Sequence, residues 1–272
     1  MTTLHVIILA QGQQSRLPDL LVPKQLLEIP GTGETILKRT FRLLGDLAPG
    51  ALVTLVGHYG LAEAVGVVYP TPTGFANADL RSFYVPTLEG VSSSCTLCTL
   101  HNPGNHAVAG LQQVVRTGLQ SVYEHAIVVL LGDVIWSRAA LGRLLFEDAP
   151  GADPRFKGIV FMGTPDLTGG GGELFGIRVP AARRDVLLAD LPQTSSAFTE
   201  YQPGRLRELL WHLQDRERLP RDQWPKQRSP IVHRLAPYIP IFDFTTDIDT
   251  PADLARLPEI GRMIVDAGEG KP

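Results

Sequence analysis

The sequence contains little cysteine: two residues, Cys95 and Cys98, in a chain of 272. They lie in the segment SSSCTLCTLHN and are followed by His101 and His106, so a zinc site has to be considered. Structural zinc sites normally take their ligand pairs from separate hairpin or helix ends, and these four residues share one short segment. A thioredoxin-like redox pair would need a strand and helix context that is missing here. We therefore expect two thiols of the core or of a loop, with zinc as the less favoured alternative.

The sequence also lacks a long apolar run and a concentrated basic surface. Its first segment, MTTLHVIILAQG, has no basic residue before an apolar run of about six residues, against the ~20 needed to span a bilayer. The 25 basic and 28 acidic residues give a formal net charge of -3 and are mixed along the chain. The mixed charges disfavour nucleic acid as a partner, and the short first apolar run disfavours a membrane and predicts a cytoplasmic protein.

Two common nucleotide-binding motifs are missing as well. No turn is closed by Gly-Lys-Ser/Thr, which excludes a P-loop. The turn after the first apolar run holds only Gly12, where a dinucleotide fingerprint needs three glycines, so a dinucleotide-dependent oxidoreductase is disfavoured. The composition is nevertheless that of a globular domain, since 44% of the residues are hydrophobic and a chain this long buries roughly three quarters of its unfolded surface.

Short apolar runs alternate with amphipathic stretches. The runs resemble strands buried on both faces, and the amphipathic stretches repeat apolar residues at intervals of three and four, as helices packed on a sheet do. The alternation predicts a Rossmann-like α/β fold with a mostly parallel central sheet and helices on both faces. The predicted strands are Leu4–Ala10, Ala51–Val56, Arg81–Val85 and Ala126–Leu131, and the predicted helices are Thr35–Leu47, Gly60–Val65 and His106–Glu124.

The pattern is less regular after Leu131. Four consecutive glycines at 169–172 favour a hairpin loop, and five prolines between 219 and 240 favour extended chain. The predicted elements here are helices at Arg138–Glu147 and Arg205–Arg216, strands at Gly158–Gly163, Glu173–Val179 and Ile241–Phe244, and a last helix from Pro251 with Thr250 as N-cap.

The first predicted strand runs into a turn suited to phosphate. The turn contains Gly12 and is followed by Arg16, and Pro23 and Lys24 come a few residues later. Backbone N–H groups above the carboxyl end of a strand can bind phosphate oxygens. Arg16 can hold them in a bidentate fork, and Lys24 adds a mobile point charge. Taken alone, the turn leaves open that both side chains are ordinary surface charges.

Three segments carry motifs in a fixed order. LAQGQQSRLPDLLVPKQL matches the pattern L-A-A-G-x-G-x-R followed by P-K, with departures at Gln11 and Gln14. IVVLLGDVIWS is a strand that ends in Gly-Asp, and DIDTPADL fits D-x-D-T-P-x-D-L. Together they resemble the GT-A type nucleotidyltransferases, which include sugar-phosphate, phosphocholine and molybdopterin nucleotidyltransferases.

The resemblance implies roles for individual residues. Asp133 and Asp249 would bind Mg²⁺, and Arg16 and Lys24 would be the catalytic residues at the phosphates. Asp247 is an alternative to Asp249, because it lies two residues away on the same face of an extended segment. The expected nucleotide-binding residues are Leu9, Ala10, Gln11, Gly12, Gln13 and Ser93.

The activity implied by the resemblance is transfer of a nucleoside monophosphate from an NTP to a small phosphorylated acceptor, with release of pyrophosphate. The acceptor would be a sugar phosphate, phosphocholine or a phosphonate. A single domain, 1–272, is expected, with an NTP-binding half at 1–137, an acceptor-binding insertion at 138–240 and the C-terminal metal motif at 241–272. Gln11 and Gln14 leave open an alternative, a nucleotide-binding module without catalysis. The nucleobase and the oligomeric state, including a homo-oligomer, stay open.

Overall fold

The computed structural model describes residues 4–10, 16–57, 59–68, 73–75, 78–84, 94–100, 125–149, 158–165, 173–183 and 238–270. Its helices are α1 Ile36–Leu47, α2 Tyr59–Val65, α3 Arg138–Phe146 and α4 Pro251–Asp266, with short 3-10 helices at Lys24–Leu26 and Ala181–Arg183. None of these helices is long and apolar enough to cross a membrane. The strands are β1 Leu4–Leu9, β2 Glu28–Ile29, β3 Glu34–Thr35, β4 Leu52–Val56, β5 Val67–Val68, β6 Thr73–Phe75, β7 Ala78–Tyr84, β8 Ser94–Leu100, β9 Ala126–Leu131, β10 Val134–Ile135, β11 Val160–Gly163, β12 Leu174–Val179, β13 Tyr238–Pro240 and β14 Thr246–Asp247.

Within the described residues, the main sheet has 10 strands in the order β13-β11-β12-β9-β1-β4-β8-β7-β5, with β6 paired to β7. Its centre, β9-β1-β4-β8, is parallel. On either side the direction changes, because β12 joins β9 and β7 joins β8 in antiparallel pairs. The expected α/β fold with a parallel centre and flanking helices is therefore confirmed.

Both faces of the sheet are buried at the central strand β1. Val6 packs in the main hydrophobic cluster with Phe41 of α1 and Leu144 of α3. His5 and Ile7 point to the opposite face and are also buried, with exposed fractions of 2% and 0%. Burial on both faces explains why this strand appears in the sequence as an uninterrupted apolar run.

A second, smaller core attaches the C-terminal helix. β10 and β14 form a two-stranded antiparallel sheet. Shortly after β14, α4 begins at Pro251 with a capping box between Thr250 and Asp253. Pro251 lies in the first turn of the helix, as predicted. The apolar residues of this core include Ile29, Ile135, Ile248, Ile260 and Ile264.

Two arginines of α1 anchor the segment that follows α4. Arg39 is fully buried and donates to the carbonyl oxygens of Trp136 at 2.9 Å and Glu269 at 3.0 Å, and it also pairs with the Glu269 carboxylate. Arg42 holds Glu34 through two hydrogen bonds of 2.6 and 2.9 Å and donates to the Glu269 carbonyl at 2.8 Å. These paired and hydrogen-bonded charges fix α1 against Trp136, which follows β10, and against Glu269, which follows α4.

Two predicted strands differ from the observed ones. The strand expected at Arg81–Val85 is β7, Ala78–Tyr84, and it runs antiparallel to its neighbour β8. The strand expected at Ile241–Phe244 ends earlier, at Pro240, because the chain bends at Asp243, whose carboxylate accepts from Ser137 Oγ and the Thr245 N–H. The predicted helices His106–Glu124 and Arg205–Arg216 and the glycines 169–172 lie outside the described residues.

Candidate active site

The candidate site lies where β1 and β9 end side by side. Leu9 is in register with Leu131, and the Gly132 N–H donates to the Leu9 carbonyl at 2.9 Å. A Cβ on Gly132 would lie 2.9 Å from the Cβ of Ala10, so only glycine allows this close approach without a shift. The turn therefore places Asp133 beside the end of β1, at the edge of a parallel sheet where ligands bind in open α/β folds.

The small sheet β10-β14 brings the C-terminal motif to the same edge. Val134 pairs with Asp247 and Ile135 with Thr246, which sets the segment 247–249 against the turn that carries Asp133. Asp253 then holds this segment, since its Oδ2 accepts from the Thr250 N–H at 2.7 Å and from the Asp249 N–H at 3.2 Å. Asp253 is thus the capping carboxylate of the motif, and its neighbours Asp247 and Asp249 are left for the site.

Lys24 connects Asp133, which follows β9, with Asp249, which follows β14. It lies in the 3-10 helix after Pro23 and is only 6% exposed. Its Nζ is 2.5 Å from Asp133 Oδ2 and also contacts Asp249 Oδ1. Burial disfavours the ammonium, but the two carboxylates outweigh that cost and raise the pKa of Lys24 above its usual value. This lysine is therefore held by two aspartates that lie 109 and 225 positions further along the sequence.

Arg16 lies at the rim of the site. Its guanidinium pairs with Asp249 Oδ2, and the side chain is 55% exposed. Leu17, the next residue, is buried and fixes the backbone there. A half-exposed guanidinium on a fixed backbone is free to contact a bound anion, while the ion pair itself adds little to stability.

A group of carboxylates surrounds Asp249. Oxygen atoms of Glu173, Asp247 and Asp249 lie within 4.8 Å of one another. The pKa of Asp247 is raised to about 8, chiefly because the side chain is buried. The hydrogen bond and charge of Glu173, and the charges of Asp249 and Asp133, raise it further. This environment favours the protonated form of Asp247 at neutral pH.

This donor set fits a hard divalent cation. Mg²⁺ takes oxygen ligands and is usually bound by one or two carboxylates together with substrate phosphates and water. Asp249 belongs both to the pair that contacts Lys24 and to the cluster with Glu173 and Asp247. Among the residues that the structure describes, it is the carboxylate common to both groups.

The structure brings together the four charged site residues predicted from the sequence. Arg16, Lys24, Asp133 and Asp249 meet at one point, and the rival Asp247 lies beside them. Leu9 and Ala10 end the strand below it, whereas Gln11, Gly12, Gln13 and Ser93 lie outside the described residues.

Sequence reasoning missed Glu173. It precedes β12, which runs antiparallel to β9, so the start of β12 meets the carboxyl end of β9. The Glu173 backbone is fixed by mutual hydrogen bonds with Thr164, of 3.0 and 2.9 Å. An acidic residue at the start of a strand was the available signal, but its meaning depends on the direction of that strand.

Comparison with known proteins identifies the fold. No protein-family model matches the chain, and no curated protein matches it. In structure it is similar to a protein from Bacillus anthracis provisionally described as a glucose-1-phosphate thymidylyltransferase, with a TM-score of 0.57, 16% identity and 96% of each chain covered. It is also similar to the inositol-1-phosphate CTP transferase from T. maritima, with a TM-score of 0.53, 15% identity and 97% of each chain covered. The chain thus has the fold seen in these nucleotidyltransferases.

Proposed function

We propose that the protein is a Mg²⁺-dependent nucleotidyltransferase that transfers a nucleoside monophosphate from an NTP to a small phosphorylated acceptor and releases pyrophosphate. The observation that carries the proposal is the meeting of Arg16, Lys24, Asp133 and Asp249 at the carboxyl ends of β1 and β9. Cations for phosphates and carboxylates for a metal are what phosphoryl and nucleotidyl transfer need from a protein.

In the proposed reaction an acceptor phosphate or phosphonate oxygen attacks the α-phosphorus in line. A new P–O bond forms, the bond between the α-phosphorus and the bridging oxygen breaks, and pyrophosphate leaves with the electron pair. Arg16 and Lys24 hold phosphate oxygens and offset the charge that develops on them. The protein contributes positioning and charge, so no covalent nucleophile is required.

Asp133 and Asp249 would hold Mg²⁺, with Asp247 or Glu173 as further oxygen donors. When bound, the ion would neutralise phosphate charge and orient the triphosphate. The carboxylates keep this position because β9 and the β10-β14 pair fix the backbone on both sides.

The nucleotide is proposed to bind above β1, on Leu9, Ala10, Gln11, Gly12 and Gln13, with Ser93 reading the base. In this division of the single domain, 1–137 binds the NTP, 138–240 binds the acceptor and 241–272 supplies the C-terminal carboxylates. Structural neighbours named for glucose-1-phosphate and inositol-1-phosphate support a sugar or polyol phosphate as acceptor. Phosphocholine and phosphonates belong to the same chemical class of acceptor. The inactive nucleotide-binding module is not favoured, since both cations and both metal-site aspartates are present.

The decisive experiment is a pyrophosphate-release screen. Each of the four NTPs is incubated with glucose-1-phosphate, inositol-1-phosphate, phosphocholine or aminoethylphosphonate, with Mg²⁺ or with EDTA. We expect release with one NTP and one acceptor class, only with Mg²⁺, and loss of release in Asp133→Asn. NTP binding without pyrophosphate release in any combination would contradict the proposal and favour a binding module.

A further inference from the structure

Lys24 occupies a position at which a cation bridges the two aspartates of the proposed metal site. Its Nζ contacts Asp133 at 2.5 Å and also contacts Asp249, and the residue is 6% exposed. The ammonium therefore meets the same oxygen atoms that a divalent cation would need. Two cations cannot share them, since like charges at such distances repel strongly where water is scarce.

We propose that Lys24 is an internal place-holder cation: it occupies the carboxylates of the resting protein, and a divalent cation binds only by displacing it. The proposal rests on the proposed function, because it concerns the same metal site. It adds that binding of the metal and release of Lys24 towards the phosphates are one coupled event. Lys24 would thus favour entry of metal and triphosphate together over entry of the metal alone.

The charges around the site support this coupling. In the resting protein Asp133 is matched by Lys24, and Asp249 contacts both Lys24 and Arg16. A free divalent cation gains these carboxylates only at the cost of taking both of them from Lys24, a nearly buried ammonium. A metal–triphosphate complex brings its own anionic oxygens, to which Lys24 and Arg16 can transfer.

The backbone lets the ammonium move without rebuilding the fold. Lys24 extends from a short 3-10 helix whose turns are closed by main-chain bonds, Leu26 N to Pro23 O at 2.8 Å and Leu27 N to Lys24 O at 3.1 Å. Those bonds do not involve the side chain, whose four-carbon stem can turn while the helix stays in place. Exchange of partners therefore does not require these main-chain bonds to break.

The first test measures metal binding without nucleotide. Mn²⁺ affinity is determined by electron paramagnetic resonance for the wild type, for Lys24→Met and for Lys38→Met, which makes the same change on α1 outside the site. We expect Lys24→Met to bind Mn²⁺ at least about tenfold more tightly than wild type, and Lys38→Met to be unchanged. Equal affinity in wild type and Lys24→Met would overturn the proposal.

The second test uses the unaltered protein and does not depend on the folding of a variant. Amine acetylation of Lys24 is followed by peptide mass spectrometry with Mg²⁺ or with EDTA. Release of the ammonium from Asp133 and Asp249 should speed labelling of Lys24 in Mg²⁺ and leave labelling of Lys38 unchanged. A Lys24 labelling rate that is the same in EDTA and at a Mg²⁺ concentration high enough to displace bound Mn²⁺ in the first test would overturn the proposal.

The outcomes separate this proposal from the proposed function. Tighter Mn²⁺ binding by Lys24→Met, in a protein that turns over no NTP and acceptor, would leave the place-holder standing and remove the transferase. Turnover by the wild type, with no gain in Mn²⁺ affinity in Lys24→Met, would support the transferase and overturn the place-holder.

Discussion

Asp249→Asn separates catalysis from folding at the proposed site. The substitution keeps the shape of the side chain and removes one charge from its pairs with Lys24 and Arg16. Lys24 keeps Asp133 at 2.5 Å, and the Arg16 pair is half exposed, so little stability depends on it. Asp247 and Glu173 also lose a like charge from their surroundings. We expect the free energy of unfolding to fall by about 1 kcal/mol or less.

The effect on turnover should be much larger. Asp249 is in contact with both catalytic cations and belongs to both groups of carboxylates at the site. Removing one charged or hydrogen-bonding group that acts in the transition state typically lowers kcat by about 10²–10³. We therefore expect kcat/KM to fall at least about a hundredfold, which equals about 2.7 kcal/mol, and the Mg²⁺ requirement to rise.

Asp253→Asn is the matched control, with the same chemical change four residues away. The Asp253 carboxylate accepts from the backbone of Asp249 and Thr250 and from the Thr250 hydroxyl, which makes it the cap of α4. Its loss should weaken the capping box by about 1 kcal/mol and spare most of the turnover.

The assay is a Mg²⁺ titration of pyrophosphate release, with thermal melting, on Asp249→Asn, Asp253→Asn, Asp133→Asn and Asp247→Asn. Asp133→Asn should behave like Asp249→Asn, and Asp247→Asn should lose less turnover. The assignment fails if Asp249→Asn behaves like wild type while Asp247→Asn does not, and the reasoning fails if Asp253→Asn loses as much turnover as Asp249→Asn.

Four further predictions concern single residues. Lys24→Ala should lower kcat/KM at least about a hundredfold with an unchanged circular dichroism spectrum, and near-normal turnover of the folded variant would remove Lys24 from the site. Arg16→Lys should lower kcat/KM because an ammonium cannot reproduce a bidentate fork; a silent swap in steady-state kinetics would make Arg16 a surface charge. Gly132→Ala puts a Cβ 2.9 Å from that of Ala10, so the turn must shift and turnover should drop. A variant that matches the wild type in both thermal melting and steady-state kinetics would contradict this. Burial, with the charge of His125, lowers the pKa of His5 to about 4, so the stabilising contribution of the neutral imidazole is present above about pH 6.5 and is lost as pH falls towards 4. The free energy of unfolding of the wild type, taken relative to that of His5→Gln, should therefore be about 2 kcal/mol lower at pH 5 than at pH 7.5, and an equal difference at both pH values would contradict the lowered pKa.

The parts of the fold that the sequence predicts well are those with strong local signals. β1 and β9 are uninterrupted apolar runs, and their burial on both faces is what such runs report. The start of α4 is fixed by Thr250 and Pro251, a cap and a first-turn proline that act within one turn of helix. Such local signals can be recognised in the sequence without knowing how the rest of the chain folds.

The direction of the outer strands is the feature of the sheet that the sequence does not predict. β7 was expected among the strands of a mostly parallel sheet, yet it runs antiparallel to β8. The hairpin expected before β12 indicates an antiparallel partner, but it does not indicate that β12 also lies antiparallel beside β9. Periodicity reports which faces of a strand are buried and says nothing about which way the strand runs. The same limit hid Glu173, because only an antiparallel β12 brings the start of that strand to the ends of β1 and β9.

The charges of the site explain how the fold tolerates so many carboxylates at one edge. Four acidic residues meet there: Asp133, Glu173, Asp247 and Asp249. Lys24 and Arg16 offset two of the charges, and the raised pKa of Asp247 favours a proton there that removes a third. One negative charge is left, so the carboxylates can be packed together without an ion, although each alone would be costly to bury. Because a triphosphate competes for the lysine and arginine and a metal competes for the proton and the carboxylates, the groups that make the resting site stable are the groups that binding must rearrange.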